Sequence, residues 1–238
     1  MRTLARVVSV AVAASALLPL VLRSGGFETA AAEGTPTPPA EGHVILKVDG
    51  VPVTREELDA SVAYRKTYVA GRSDKDLQRA AFDDEILLTA AVRAKYAAKL
   101  PEMKARIDAL HAKAKSGAAF VDVAREGSEC PSSAQGGDLG FFGRTAMTQP
   151  FARYAFTMRK GEVSEPFLSV FGYHFITVTD YKKGATAGAD EARASHVLVM
   201  FDRSPAFRNQ IQAIKQAAKV EVVDPAYADI VPEANRKK

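Results

Sequence analysis

Around residues 127–146 the hydrophobic pattern of the chain changes its period. Upstream, apolar residues recur at helical spacing: Leu58, Val62 and Val69; then Leu77, Ala81, Leu88, Val92 and Tyr96; then Met103, Ile107, Leu110 and Ala114. Downstream they alternate, with His174, Ile176 and Val178 on one face of a strand and His196, Leu198 and Met200 on one face of another. The stretch between is rich in glycine and serine and contains Gly136, Gly137 and Gly140. Both helical and strand patterns are thus present in one chain. With 238 residues, 47% of them hydrophobic, the chain can bury a core in one or two domains.

Local signals divide the chain further. Arg2 and Arg6 precede an apolar run, residues 7–22, which Arg23 closes, and Ala30, Ala31 and Ala32 offer small residues for cleavage. Residues 1–32 are therefore read as an export signal, with an uncleaved anchor in the membrane as the alternative. Removing Arg2, Arg6, Arg23 and Glu28 lowers the net charge from +4 to +2, so the basic balance comes partly from the signal. The remaining bases are interspersed with acids, which argues against a nucleic-acid partner. Residues 33–42 read as a Pro- and Gly-rich linker. A strand at 43–48 and an Asp49-Gly50 turn come next, then a helix capped by Thr54 with Glu57 in capping-box spacing. Ser73 caps a second helix and Pro101 interrupts it. A short helix carries Phe151, Tyr154, Ala155 and Met158, and two strands lie around 161–169 and 173–180. After a polar connection, residues 193–200 read as another strand, Ser204-Pro205 opens a last helix, and 220–223 forms a short strand.

Several chemistries are excluded. Cys130 is the one cysteine, so it forms no internal disulfide and no cysteine zinc site. The four histidines show no H-x-x-x-H spacing, and neither a Walker A nor a G-x-G-x-x-G motif is present. The expectation is a protein without metal or cofactor.

Residues 117–180 resemble a parvulin-type (PpiC-like) peptidyl-prolyl isomerase. The resemblance rests on Gly136-Gly137-Asp138-Leu139-Gly140-Phe141-Phe142, then Met147, Pro150-Phe151 and Ala155-Phe156. Gly161-Glu162-Val163-Ser164-Glu165-Pro166 and Phe171-Gly172-Tyr173-His174 complete the ordered set. Ser195-His196-Val197-Leu198-Val199 is similar to the strand that carries the family's other histidine, and residues 44–57 resemble the opening of SurA- or PrsA-type export foldases. In ordinary parvulins that histidine strand comes first, whereas here it comes last. The expectation is a circularly permuted domain in which residues 182–192 close a hairpin and return His196 beside His174. The rival is the decayed start of a second repeat.

The resemblance implies an α+β fold, an antiparallel four-stranded sheet flanked by helices, plus a helical SurA-N-like chaperone region. The domains expected are a helical region at 43–101, an isomerase domain at 102–200, a C-terminal helix and strand at 201–223, and a polar tail at 224–238. It also implies rotation about X-Pro bonds of exported polypeptides, in the periplasm or another extracytoplasmic compartment, with residues 7–22 as a membrane tether if uncleaved. Leu139, Met147, Phe151 and Phe171 would line the proline pocket. His174 and His196 would stand behind it as a hydrogen-bonded pair, with Ser169 fixing tautomers and Cys130 facing the substrate carbonyl. His43 and His111 match no family site. Met200-Phe201-Asp202-Arg203 lacks the clustered arginines of phosphate-directed parvulins. The competing function is a holdase chaperone that binds extended chains without catalysis.

Overall fold

The computed structural model describes residues 42–237; the expected signal and nearly all of the expected linker lie outside the described residues. Two antiparallel sheets organise the chain.

The first sheet joins the two ends of the described residues. Strands β1 (Val44–Val48) and β2 (Val51–Thr54) form a hairpin across Asp49-Gly50, and β7 (Val220–Val222) pairs with the free edge of β1. Helix α1 (Arg55–Lys66) starts where Thr54 Oγ1 accepts the Glu57 N–H at 3.2 Å, and α2 (Asp74–Ala81) where Ser73 Oγ accepts the Asp76 N–H at 3.1 Å. Ile45, Leu46, Leu58, Phe82, Leu87 and Val220 make this core.

One expectation needs correction. The stripe from Leu77 to Tyr96 does not lie on one side, because a π-helical turn, Phe82–Ile86, separates α2 from α3 (Leu87–Lys95). Each π turn adds a residue and rotates the helix beyond it. Leu77 and Ala81 therefore face the first core, while Leu88, Val92 and Tyr96 face a different one.

The second sheet has the strand order β3-β6-β5-β4: β3 (Asp138–Gly143), β4 (Phe167–Ser169), β5 (Gly172–Lys182) and β6 (Glu191–Met200). Helix α6 (Gln149–Thr157), opened by Pro150, covers one face with Phe151, Tyr154 and Phe156 against Ile176, Val178, Ala192 and Ala194. Helices α4 (Leu100–Lys115), α5 (Phe120–Gly127) and α7 (Phe207–Ala217) supply residues to the core on the other face, where Met103, Ile107, Val123 and Phe207 pack with Phe175, Val197 and Val199. Pro101 occupies the first turn of α4 rather than the interior of a longer helix. The region expected as strand before Ser169 pairs only over three residues, with an isolated bridge from Val163 to Thr177.

Strand β6 is an inner strand, hydrogen-bonded to β5 on one side and β3 on the other. Without it, both neighbours would expose unpaired backbone groups.

Candidate active site

The β5–β6 register pairs Ile176 with His196 and His174 with Leu198, so the two histidines are diagonal neighbours on one face. Their Nδ1 atoms stand 3.4 Å apart, and the ring centroids 5.5 Å apart. Ser169 Oγ lies 2.7 Å from His174 Nε2, and Ser132 Oγ lies 3.1 Å from His196 Nε2. Four side chains thus form one hydrogen-bonded line: Ser169, His174, His196, Ser132.

Ser169 is fully buried and its oxygen also accepts the Phe171 N–H at 3.1 Å. Each neutral imidazole has one donor and one acceptor nitrogen, so the Nδ1–Nδ1 contact requires one histidine to carry its proton on Nδ1 and the other on Nε2, and the two serine hydroxyls, which can donate or accept, complete either arrangement. Burial lowers the pKa of both imidazoles: His174 well below the ordinary value, with the neighbouring His196 adding to the effect, and His196 to about 4. Both are neutral at physiological pH.

Phe151 is buried, and its ring meets both imidazoles edge-on, with centroids 5.8 Å from His174 and 5.7 Å from His196. Leu139 and Met147 pack half-buried against the same cluster. Phe167 stacks on His174 at 5.4 Å. An apolar wall with a neutral polar line behind it can enclose a proline ring and exclude water from the amide next to it.

Phe171 is not brought together with Leu139, Met147 and Phe151. It sits in the turn before Gly172 and packs with the cluster on the opposite face of the sheet, with the Arg208 guanidinium 5.9 Å from its ring centroid. Cys130 is partly exposed and precedes a 3₁₀ turn at Pro131–Gln135. That turn delivers Ser132 to His196, a role the sequence reading missed. The only signal was that Ser132 lies two residues beyond Cys130, in a segment already assigned to the site. Gly137 makes the approach possible: its φ is +81°, and a Cβ there would stand 2.2 Å from the His196 carbonyl oxygen. His196 N–H in turn donates to the Gly137 carbonyl at 3.0 Å.

Arg203, after the histidine strand, lies 4.0 Å from Glu129, whose other oxygen accepts the Met200 N–H at 2.7 Å. Among the described residues no group of His, Cys, Asp and Glu is arranged to hold a metal ion.

Residues 86–180 match the family model described as Rotamase: PPIC-type PPIASE domain. The foldase protein PrsA of Geobacillus kaustophilus is 30% identical over 138 residues, 57% of this chain and 47% of that protein. PrsA of Bacillus subtilis is 32% identical over 113 residues, 47% of this chain and 39% of that one. The chaperone SurA of Xylella fastidiosa (strain 9a5c) is 46% identical over 79 residues, 33% of this chain and 17% of that one. The chain spans less than half the length of these curated relatives. No solved structure matches. Over residues 86–180 the chain is therefore similar to the PPIC-type PPIASE domain, and over part of its length to the PrsA and SurA proteins.

Proposed function

We propose that the chain is a peptidyl-prolyl cis-trans isomerase that acts on X-Pro bonds of unfolded, exported polypeptides. The observation that carries this reading is the hydrogen-bonded line Ser169–His174–His196–Ser132 behind the wall of Leu139, Met147 and Phe151. Amide resonance sets a barrier of ~18–20 kcal/mol to rotation. No bond breaks, so neither a nucleophile nor a proton transfer to solvent is needed. Twisting the amide moves charge off the carbonyl oxygen and back to nitrogen, and the twisted form is less polar than the planar one. An apolar cleft that strips water from the linkage therefore favours the twisted form over both planar forms. Lowering the barrier by ~4–7 kcal/mol gives roughly a thousandfold to hundred-thousandfold acceleration.

In this reading the isomerase domain spans 102–200 with its first strand moved to the end. The inner position of β6 supports circular permutation over a decayed second repeat. The basic, apolar N-terminus supports export to an extracytoplasmic compartment, by cleavage or with residues 7–22 as a tether. No helix among the described residues is long and apolar enough to cross a membrane. Cys130 acts through polar contact at the cleft rather than as a nucleophile.

The test is a proline-limited peptide assay on the full chain and its Met147→Ala variant. Accelerated isomerisation that falls by about tenfold or more in the variant is the expected result, matching loss of a pocket side chain worth ~1.4 kcal/mol or more. No acceleration by the parent, with aggregation of an unfolded protein still suppressed, would replace the reading with a holdase.

A further inference from the structure

Helix α1 contributes to two cores. Leu58 and Val62 face the first, while Tyr64, in its last turn, is buried in the isomerase cluster with Phe142, Phe151 and Phe156. The chain then turns: the Tyr68 N–H donates to the Arg65 carbonyl at 3.1 Å. The Tyr68 ring stands 5.2 Å from that of Tyr64, centroid to centroid, and packs against the same cluster. Both tyrosines lie outside the span 102–200 expected for the isomerase domain.

Residues 144–148 connect β3 to α6 and carry Met147, one wall of the prolyl cleft. Thr145 and Ala146 are exposed, and the Ala146 N–H reaches the Gly143 carbonyl at 3.2 Å, so the shape of this loop depends on how its ends are held. The two tyrosines hold both. At the far end the Tyr68 hydroxyl donates at 3.0 Å to Oε1 of Gln149, the residue that opens α6. At the near end the Arg144 guanidinium lies 5.9 Å from the Tyr64 ring centroid, 6.0 Å from that of Tyr68 and 4.4 Å from that of Phe156, within cation–π range. Asp190 meets its charge at 3.2 Å, and the other oxygen of Asp190 accepts the Gly184 N–H at 3.0 Å. The Arg144 side chain is 11% exposed, so these contacts are weakly screened by solvent. A short loop fixed at both ends has few conformations left, and Met147 then meets the cleft in one place.

We propose that Tyr68 is a positioning residue for the prolyl cleft: with Tyr64 and Arg144 it fixes the loop 144–148, and through that loop it sets the place of Met147. One wall of the cleft is thus held from outside the isomerase domain. The proposal rests on the isomerase reading of the cleft, and its test tells the two apart.

The test is a double-mutant cycle on the full chain, read by the proline-limited peptide assay. Tyr68→Phe keeps the ring and removes the hydroxyl. It should lower kcat/KM by about threefold to tenfold, the range that one neutral hydrogen bond covers. The loss should fall on KM, since a loosened wall weakens its hold on the planar and twisted forms alike. Gln149→Leu removes the acceptor instead; it should give the same loss, and it carries the test should Tyr68→Phe fail to fold by circular dichroism. In a Met147→Ala background either change should cost nothing further, because the side chain being positioned is gone. Losses that add to that of Met147→Ala, a fall in kcat with KM unchanged (the mark of a smaller folded fraction), or no loss at all would overturn the proposal. A parent without isomerase activity would refute the isomerase reading by itself, and Met147 would still report on the loop. Its ε-methyl NMR signal, assigned by its disappearance in Met147→Ala, should shift or broaden in Tyr68→Phe, and an unmoved signal would show that Tyr68 does not hold the loop.

Discussion

The two imidazoles are buried side by side in one hydrogen-bonded line, and pH is the simplest way to disturb it. Burial lowers the His196 pKa to about 4 and that of His174 well below 6.5. The unfolded chain takes up protons near 6.5, the folded one only much lower, so between these values the unfolded state binds more protons. Stability is therefore complete above about pH 6.5 and is lost as pH falls toward 4, by roughly 3 kcal/mol for His196 alone. Thermal melts across this range should show the decline, and His196→Ala should make it smaller while His174 keeps its share. Isomerisation should hold level from about pH 8 to about pH 5.5 and drop below that, as the neutral pair gives way. An activity that instead titrates near pH 6.5 would mean that the histidines are hydrated and charged in the working enzyme.

At the scale of elements, the π turn Phe82–Ile86 divides a helix that the sequence presents as continuous. Its apolar residues keep helical spacing on both sides of the turn, so periodicity alone could not reveal that Leu77 and Val92 belong to different cores. The caps at Thr54 and Ser73 were legible because a side-chain oxygen and its N–H partner lie three residues apart. Helix α5 and strand β3 were not, since neither run is long enough to establish a period. The turn places Glu85 in the interior, where burial raises its pKa above 4.5. For a carboxyl shifted upward, the folded state disfavours the charge, so the cost grows as pH rises above the unfolded value. Glu85→Gln keeps an acceptor for Ser61 and removes the charge. Its melting temperature at pH 7 should exceed that of the parent, and the difference should vanish below about pH 4.5. A destabilised variant at neutral pH would show that Glu85 is held ionised by Arg65 and Arg153, the neighbouring bases that oppose the shift.

The whole molecule is closed by its latest segments. Strand β7 returns to β1 and β6 inserts between β3 and β5, so the last part of the chain completes both sheets. The histidine pair was readable in sequence because two strand histidines stood in family-like contexts. Their adjacency was expected only through the family resemblance, by a hairpin across residues 182–192 that has few apolar residues to mark it, and the β5–β6 pairing brings them together. That hairpin has a limited task once folding is over. Residue pairs from Gly172↔Met200 to Lys182↔Glu191 hold β6 along β5, and β3 holds its other edge from Asp138↔Ser195 to Gly143↔Glu191. Arg144 fastens the hairpin end through Asp190 at 3.2 Å, and its guanidinium lies 4.4 Å from the Phe156 ring centroid. A protease site placed in residues 184–188 and cut after folding should therefore leave the protein assembled, with isomerisation nearly unchanged. Refolding of the cut protein from denaturant should become slow and concentration-dependent, because β6 must then find its slot as a separate chain and the loop no longer supplies its effective concentration. Immediate loss of structure on cutting would mean that the loop, rather than the strand pairing, holds His196 at the cleft.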